Sequence, residues 1–386
     1  MKIDLPKDVR FILERLGAGG FAAFAVGGCV RDSLMGKVPK DWDIATSAQP
    51  CEVKAAFPHT VDTGIQHGTV TVVRKRQNYE VTSFRVDGEY LDGRRPEAVT
   101  FTTDLEQDLS RRDFTMNAIA YNPAVGLKDL FGGYADIRLK KIRCVGNARE
   151  RFTEDALRMM RAVRFSAQLG FDIEEETYSA IAPLSERLAM VSIERIRDEL
   201  TKILTSMNPA ALVMLDDTGL WEHVPLSCDI ASAVPRLEKC PKEPPMLYAL
   251  LGADAETMRR LHFDNRTVNE TSLYLRYLDA EIIDEAYEIK KLLNKMSPRE
   301  FRNLLVLKNI ADGADYSRIR GTCDEILRLG ECFTLKELAV DGEALIGIGI
   351  PAGKAMGRIF AQLLDMVMRE PSLNEKNTLL QKAKNL

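Results

Sequence analysis

The sequence predicts an α+β fold, in which a mixed sheet with helices over residues 1–148 is followed by an all-helical remainder. Short apolar and β-branched runs separated by glycines occur before residue 148 and are typical of strands. Beyond it, apolar residues recur at helical spacing, as in residues 192–204 and 361–367. The chain is long enough for several domains. We place a head at 1–148, a neck at 149–205, a body at 206–300 and a tail at 301–386.

Two glycines follow the first apolar run of the head. Residues 21–26 predict a buried strand and residues 30–34 predict a helical turn. Gly27 and Gly28 lie between them and leave room for a phosphate near a helix start, where unpaired N–H groups favour anions. Arg31 adds a positive charge to this turn. A tight connection without a ligand is the alternative.

Two aspartates come next, on either side of Trp42, where the strand-like run 43–46 begins. Residues two apart in a strand point to the same face, so the carboxylates of Asp41 and Asp43 should converge. Carboxylates held close together repel each other unless a cation lies between them, and oxygen ligands suit Mg²⁺. An acidic turn after Lys40 is the alternative.

A site with two metal ions needs a third carboxylate, which a neighbouring strand should supply. Residues 78–85 are rich in β-branched and aromatic types, and residues 67–73 predict their hairpin partner. Glu80 is therefore the candidate third metal ligand. A solvated residue on a strand face is the alternative for Glu80.

Four motifs occur in one order along the first half of the chain. They are Gly27-Gly28-x-x-Arg31-Asp32, Asp41-x-Asp43-Ile44-Ala45-Thr46, Arg111-Arg112-Asp113-Phe114-Thr115-x-Asn117 and Glu154-Asp155-x-x-Arg158-x-x-Arg161-x-x-Arg164-Phe165. The series resembles the class II CCA-adding enzymes, tRNA nucleotidyltransferases of the family that also contains bacterial poly(A) polymerases. The resemblance is strongest over residues 1–205. It implies a polymerase-beta-like nucleotidyltransferase head that adds C, C and A to the 3′ end of tRNA from CTP and ATP, using two Mg²⁺ ions.

The resemblance also implies roles for individual residues: Asp41 and Asp43 bind magnesium, and Gly28, Arg31 and Arg112 contact the nucleotide. Guanidinium groups suit this role because they stabilise the charge that develops on the leaving pyrophosphate. Asp113 and Asn117 bear acceptors that could hold the ribose hydroxyls. Alternatively, residues 111–113 are a charge cluster at a helix start, with Asp113 as the cap.

The fourth motif predicts one amphipathic helix that begins after the cap Thr153 and ends at Gly170. Its predicted buried positions are Ala156, Met160, Val163 and Ala167. Asp155 and Arg158 are then neighbours on its surface. A carboxylate acceptor beside a guanidinium donor matches the pairing edges of cytosine and adenine. Uracil and guanine reverse that order and leave buried polar groups unpaired, at about 1–3 kcal/mol each. A surface ion pair is the alternative.

The resemblance further implies that Arg161 and Arg164 belong to the nucleotide pocket. Each step of three residues turns by about 60° on an α-helix. Arg164 should therefore face nearly opposite Asp155, and helical geometry favours Arg161 over Arg164.

The net charge of −4 means that any tRNA-binding surface has to be local. Four basic stretches are candidates, with solvated faces as the alternative: Arg74-Lys75-Arg76, Arg94-Arg95, residues 138–141 and residues 151–164. In the tail, Lys354 and Arg358 lie one turn apart and could bind a tRNA phosphate, or Gly353 and Gly357 could let two helices pack closely. The expected partner is the tRNA 3′ end with its acceptor and T arms, and no protein partner is evident.

Composition argues against several other classes of protein. No segment predicts a membrane span or a signal peptide, so we expect a cytoplasmic protein. Seven cysteines without a Cys-x-x-Cys pair argue against a disulfide framework, and four scattered histidines argue against a zinc site. A poly(A) polymerase, an enzyme that adds only the terminal A and a catalytically inactive RNA-binding protein are the alternatives in function. The polymerase branch tends to have Pro where this chain has Ala156, and tends to carry a basic C-terminal extension.

Residues 86–96 are glycine-rich and charged and predict a mobile loop. In the family that the chain resembles, enzymes that add only the two cytidines lack this loop. We expect deletion of residues 86–96 to spare C addition and abolish A addition, because a change from CTP to ATP without a template requires the pocket to be remodelled. Incorporation of labelled CTP and ATP, each supplied singly, measures the two steps. Equal loss of both would refute the hinge role.

Overall fold

A computed structural model describes residues 2–88 and 99–386 of the chain. Most of the predicted loop at 86–96, with Arg94 and Arg95, lies outside the described residues. The chain divides into two compact units, Met1–Pro225 and Leu226–Leu386. The first unit contains the mixed sheet and the second is helical, which confirms the predicted α+β fold.

The strands all lie in the first unit. They are β1 Ala23–Val26, β2 Asp43–Thr46, β3 Thr60–Gly64, β4 Thr69–Arg74, β5 Gln77–Ser83, β6 Arg85–Asp87, β7 Val99–Phe101, β8 Ile119–Asn122, β9 Gly126–Asp129, β10 Lys141–Ile142 and β11 Asp172–Ile173. Seven of them form one sheet in the order β3-β4-β5-β2-β1-β8-β9. Two small sheets, β6-β7 and β10-β11, complete the set that the described residues contain.

The parallel pair at the centre of the sheet matters most for the site. Strands β2 and β5 run parallel, and their register places Asp43 beside Glu80. Strand β1 pairs antiparallel with β2 on one side and β8 on the other, so that Val26 lies opposite Asp43. Gly27, the first glycine of the turn, therefore lies one residue beyond Val26, the residue opposite Asp43.

The hairpin that carries Glu80 is confirmed. Strands β4 and β5 pair antiparallel from Thr69↔Thr82 to Arg74↔Gln77. Lys75 and Arg76 form the two-residue turn, with φ values of 48° and 66°, as a turn that follows the twist of the strands requires. This short turn leaves little freedom in the register and so determines which face of β5 bears Glu80.

The core of the head lies where β1, β2 and β8 meet the helix before the third motif. All four residues of β1 are buried, which explains its uninterrupted apolar sequence. One buried cluster contains Phe24, Val26, Ala45, Phe84, Leu109, Ala118, Ala120 and Val145. Within it, the Phe24 and Phe84 rings are stacked with centroids 6.5 Å apart.

Ten α-helices are described in the first unit. They are α1 Lys7–Ala18, α2 Gly28–Leu34, α3 Pro50–Ala56, α4 Leu105–Ser110, α5 Gly133–Leu139, α6 Ala148–Glu154, α7 Leu157–Leu169, α8 Glu175–Ser179, α9 Ile193–Leu204 and α10 Val213–Asp217. Short 3-10 segments lie at Ile65–His67, Thr115–Asn117, Ala182–Met190, Pro209–Leu212 and Leu220–His223. The predicted helix at 192–204 is confirmed as α9.

The prediction of one continuous helix through the fourth motif is wrong. Helix α6 ends at Glu154, and Asp155 has an extended backbone before α7 begins at Leu157. The Asp155 carboxylate accepts the backbone N–H of Leu157, a local bond that competes with helix continuation. Thr153 consequently lies inside α6, which Asn147 caps. Gly170 ends α7 in the left-handed conformation, as predicted.

The second unit is built from ten described α-helices: α11 Ile230–Lys239, α12 Pro244–Leu250, α13 Ala255–Arg260, α14 Asn265–Leu278, α15 Ala286–Leu293, α16 Pro298–Asp312, α17 Ser317–Leu329, α18 Gly342–Gly347, α19 Lys354–Arg369 and α20 Lys376–Ala383. Short 3-10 segments lie at Leu335–Glu337 and Pro371–Leu373. Helix α14 contacts both α12 and α16. The buried Lys308 ammonium donates to the carbonyls of Leu278 and Ala280 at the end of α14, at 2.7 and 2.8 Å.

The glycines at the start of α19 have open surroundings. A Cβ added at Gly353 or Gly357 would have no atom of the described chain within 4 Å. The alternative in which these glycines let two helices pack closely is therefore wrong. Lys354 and Arg358 are both exposed. No helix in residues 2–88 and 99–386 has the length and apolar character that crossing a membrane requires.

Gly133 has no room for a side chain and supplies a test of the fold. A Cβ at this position would lie 2.0 Å from the carbonyl oxygen of Thr115, in the 3-10 turn that carries Asn117. We expect Gly133→Ala to lower the free energy of unfolding by at least about 1–3 kcal/mol, because backbone cannot yield as a side chain does.

Gly17→Ala is the matched control for this change. Gly17 lies in α1, and a Cβ there meets no atom within 4 Å. This control should raise stability by about 0.5 kcal/mol, since alanine favours helix more than glycine does. Denaturant unfolding measures both variants, and equal stability of the two would contradict the close contact at Gly133.

Candidate active site

A cleft in the first unit has a volume of about 470 Å³. Its walls are formed by Gly27, Gly28, Arg31, Asp43, Arg111, Arg112, Asp113, Asn117, Asp155, Arg158, Arg161, Arg164, Phe165 and Arg195. Seven arginines against three aspartates leave an excess of four positive charges along this wall. Such a surface attracts a polyanion. Residues of all four sequence motifs therefore meet in one cleft.

The glycine turn connects β1 to α2 and lies against an arginine of the third motif. Gly27 has φ 76°, a conformation that favours glycine, and its N–H donates to the carbonyl of Ile119 at 3.2 Å. A Cβ on Gly27 would lie only 3.2 Å from Nη1 of Arg112. Glycine at this position thus lets the guanidinium group approach the backbone.

Of the three predicted metal ligands, Asp43 lines this cleft, whereas Asp41 and Glu80 are not among the residues of its wall. Asp43 is the first residue of β2, and its register partner on the parallel strand is Glu80. The predicted strand at 43–46 is confirmed as β2, and Asp41 lies in a bend before it. Asp41 and Asp43 are nevertheless both exposed on either side of the buried Trp42, which keeps the alternation of a strand.

Electrostatics connects these carboxylates. Although solvent reaches Asp43, the protein packed around it raises the pKa of its carboxyl group, and the charges of Glu80 and Asp41 raise it further. The guanidinium group of Arg112 opposes this rise. Across residues 2–88 and 99–386, no three His, Cys, Asp or Glu side chains are arranged as they stand to hold a metal ion.

The third motif follows the end of α4, and this position excludes the alternative of a cluster at a helix start. The carboxylate of Asp108 in α4, a residue that the sequence analysis missed, accepts from Arg111 at 2.7 Å and from Arg112 at 3.2 Å. Burial alone would raise the pKa of Asp108, but the two arginines outweigh it and lower the pKa. Asp108 therefore orients two arginines of the cleft. The spacing of three and four residues along a helix was the available signal.

A chain of hydrogen bonds joins the second half of this motif to α2 and α7. Nη1 of Arg31 donates to Oδ1 of Asn117 at 2.7 Å, and Nδ2 of Asn117 donates to Oδ1 of Asp113 at 3.1 Å. Nε and Nη2 of Arg161 both donate to Oδ2 of Asp113, at 2.8 and 2.5 Å. Burial would raise the pKa of Asp113, but Arg161 and Asn117 outweigh it and hold the pKa at about 2.

The residues of the fourth motif have partners that the sequence analysis did not predict. Nη2 of Arg195 in α9 donates to Oδ2 of Asp155 at 2.7 Å. Nη1 of Arg158 donates to Oε2 of Glu154 at 2.6 Å. Asp155 and Arg158 both line the cleft although the helix is interrupted between them.

Arg164 also lines the cleft, so the expectation that it faces away from Asp155 is wrong. The angle was counted from Asp155, which does not belong to α7, and an arginine side chain is long enough to reach around a helix. Nε of Arg164 lies 2.8 Å from the buried Glu199 carboxylate, and its guanidinium group lies 3.9 Å from the centre of the Phe165 ring. Glu199 and Phe165 are further residues that the sequence analysis did not assign.

Comparison with known families agrees with this architecture. Residues 23–143 match the family described as Poly A polymerase head domain, and residues 170–227 match the one described as Probable RNA and SrmB-binding site of polymerase A. The sheet, the glycine turn and the carboxylates of β2 lie within the first match. The chain is therefore a nucleotidyltransferase.

Relatives over the whole chain are more specific. A CCA-adding enzyme of Lactiplantibacillus plantarum is 38% identical over 385 residues, which cover 96% of this chain and 93% of that protein. One from Latilactobacillus sakei is 50% identical over 233 residues, which span 60% of this chain and 59% of that relative. The crystal structure of the Bacillus stearothermophilus CCA-adding enzyme in complex with CTP is 34% identical, with a TM-score of 0.86 and coverage of 98% and 96%. This chain belongs to the family of CCA-adding enzymes.

The ion pair between the buried Asp113 and the half-buried Arg161 should make stability depend on pH. The pKa of Asp113, about 2, lies below its ordinary value of 3.8. Its stabilising contribution is therefore complete above about pH 4 and is lost as the pH falls towards 2. We expect Asp113→Asn to lower the free energy of unfolding by about 3–5 kcal/mol at pH 7, because Arg161 loses its counter-charge.

The deficit of Asp113→Asn should shrink between pH 4 and pH 2, as measured by denaturant unfolding across this range. Asp172→Asn is the control, since Asp172 is exposed in its pair with Lys141 and should change stability by less than about 1 kcal/mol. A deficit that is independent of pH would argue against the charged pair.

Proposed function

We propose that this protein adds C, C and A in turn to the 3′ end of tRNA, using CTP and ATP without a nucleic-acid template and releasing pyrophosphate. The observation that carries the proposal is a single cleft in which Asp43, the arginines and the Asp155 and Arg158 side chains meet. Membership of the CCA-adding enzyme family supports it. We also propose that the protein acts in the cytoplasm, on the 3′ end and the acceptor and T arms of tRNA.

Asp41, Asp43 and Glu80 are the proposed ligands of two Mg²⁺ ions. The donor set fits such ions, because carboxylate oxygens are hard ligands and these carboxylates are close enough to raise the pKa of Asp43. When bound, metal ions of this kind lower the pKa of an attacking hydroxyl group and stabilise charge on the transferred phosphate.

The arginines around the glycine turn suit the triphosphate. Arg31 and Arg112 are each held by protein acceptors, Arg31 by Asp32 and Asn117 and Arg112 by Asp108. Donors fixed in this way can stabilise the charge of the leaving pyrophosphate without reorganising during the reaction. Gly28 in the same turn presents backbone rather than a side chain to the cleft.

Asp113 and Asn117 are proposed to position the ribose, since they lie in the cleft between Arg31 and Arg161. Asp155 and Arg158 are proposed to select the base, with Asp155 accepting from the exocyclic amine of cytosine or adenine and Arg158 donating to the ring nitrogen. Arg161 and Arg164 complete the positive wall on the same side of the cleft.

We propose a functional division into a catalytic head at 1–148, a base-selecting neck at 149–205, a body at 206–300 and a tRNA-binding tail at 301–386. This division is finer than the two compact units, and its body segment includes their boundary at Pro225. In the tail, the exposed Lys354 and Arg358 at the start of α19 are candidate phosphate contacts.

Incorporation of labelled nucleotides into tRNA that lacks its 3′ end tests the proposal. Addition of two C residues and then one A supports it, whereas addition of A alone to tRNA ending in CC indicates an A-adding enzyme. A long A tail indicates a poly(A) polymerase, the competitor that the head-domain match suggests. No incorporation indicates an RNA-binding protein without catalysis.

Asp43→Asn should reduce the incorporation rate by about a thousandfold or more, because charge stabilisation at the reacting phosphate is lost. Removal of divalent ions with a chelator should stop the reaction, and added Mg²⁺ should restore it. Asp62→Asn on β3 is the control, since Asp62 is exposed and pairs with Lys54. Equal activity of the two variants would exclude Asp43 from the reaction.

A further inference from the structure

Asp155 is held from one side by donors that belong to the protein. Its Oδ1 accepts the backbone N–H of Leu157 at 3.1 Å and Nη1 of Arg195 at 3.3 Å. Its Oδ2 accepts Nη2 of Arg195 at 2.7 Å. Arg195 thus donates to both carboxylate oxygens of Asp155. Arg195 belongs to α9, the helix that packs against α7.

This arrangement limits what Asp155 can offer to a ligand. A carboxylate has about four acceptor positions, two on each oxygen. The described contacts occupy both positions of Oδ1 and one of Oδ2. One acceptor position on Oδ2 is left, and it suits an amine hydrogen but repels a carbonyl oxygen.

The geometry points to Arg195 as a specificity-determining residue, which fixes Asp155 so that a single acceptor position faces the base. This inference rests on the proposed function. A base with an exocyclic amine satisfies that position, whereas uracil or guanine places a carbonyl against it. Without the two hydrogen bonds from Arg195, the Asp155 side chain can rotate, and the free-energy penalty for binding uracil or guanine falls.

The opposite member of the base-reading couple is held more redundantly. Arg158 donates to Oε2 of Glu154 at 2.6 Å and to the carbonyls of Arg151 and Arg111 at 3.1 and 2.9 Å. Three acceptors from two segments of chain hold this guanidinium group. Among the described contacts, Arg195 supplies both side-chain hydrogen bonds that Asp155 accepts. Loss of Arg195 should therefore affect selectivity more than loss of any one partner of Arg158.

The experiment compares nucleotides rather than rates alone. For Arg195→Met, kcat/KM is measured for CTP and UTP on tRNA without its 3′ end, and for ATP and GTP on tRNA ending in CC. The ratio of CTP to UTP should fall by at least about tenfold, since freeing Asp155 removes a penalty of the size that an unpaired buried group carries. Arg195→Lys keeps the positive charge but loses the pair of guanidinium donors that bind both oxygens of Asp155. Its ratio of CTP to UTP should lie between those of Arg195→Met and the parent.

Arg197→Met is the matched control, because Arg197 lies on the same helix and pairs with the exposed Asp198. It should keep the parental ratios. Equal loss of CTP and UTP use in Arg195→Met, with unchanged ratios, would show that Arg195 has only a structural role. A midpoint of thermal unfolding is measured for each variant, and if Arg195→Met does not fold, an unchanged ratio in Arg195→Lys overturns the inference.

The two proposals fail in different ways. If the parent protein incorporates neither CTP nor ATP, the proposed function fails. If the parent distinguishes CTP from UTP and Arg195→Met distinguishes them equally well, only the role of Arg195 is wrong.

Discussion

The buried carboxylate of Asp113 is the interaction on which the cleft depends. It binds Arg161 of α7 through two hydrogen bonds and accepts from Asn117, which in turn holds Arg31 of α2. Three segments that are far apart in the sequence are therefore joined by one group. Because Asp113 and Asn117 are buried and Arg161 is half-buried, loss of any one of them leaves an uncompensated polar or charged group. The positions of the proposed phosphate-binding and base-selecting sides of the cleft follow from this chain of contacts.

The arginines of the cleft are paired with carboxylates of the protein. Arg111 and Arg112 share Asp108, Arg164 lies against Glu199, and Arg195 binds Asp155. Burial and the neighbouring Arg161 and Arg31 charges lower the pKa of Arg164 to about 10, although Glu199 opposes this. Guanidinium groups that are already paired stay in place without a ligand, so a polyanion meets donors that need little rearrangement.

The strand pattern of the head could be predicted because it is local. The apolar run before Gly27 becomes β1, and the hairpin that carries Glu80 has the predicted partner strand. The four motifs likewise indicated nearly all the residues that line the cleft. Their resemblance to a known family supplied roles that patterning alone left open, and the residues outside those motifs, such as Asp108 and Arg195, were missed.

Sequence by itself determined the fold class, the order of the motifs and the residue types that the cleft requires, since these depend on apolar periodicity and on short-range turn chemistry. Only the tertiary structure decided where the fourth motif interrupts its helix and which partners Asp155, Arg158 and Arg164 take. A prediction of helix from apolar spacing assumes that helical backbone hydrogen bonds form at every residue. At Asp155 the helix is interrupted, and the side-chain carboxylate accepts from the backbone N–H of Leu157 and from Arg195 of α9. The contact with Arg195 joins residues far apart in the sequence and produces no periodic pattern there.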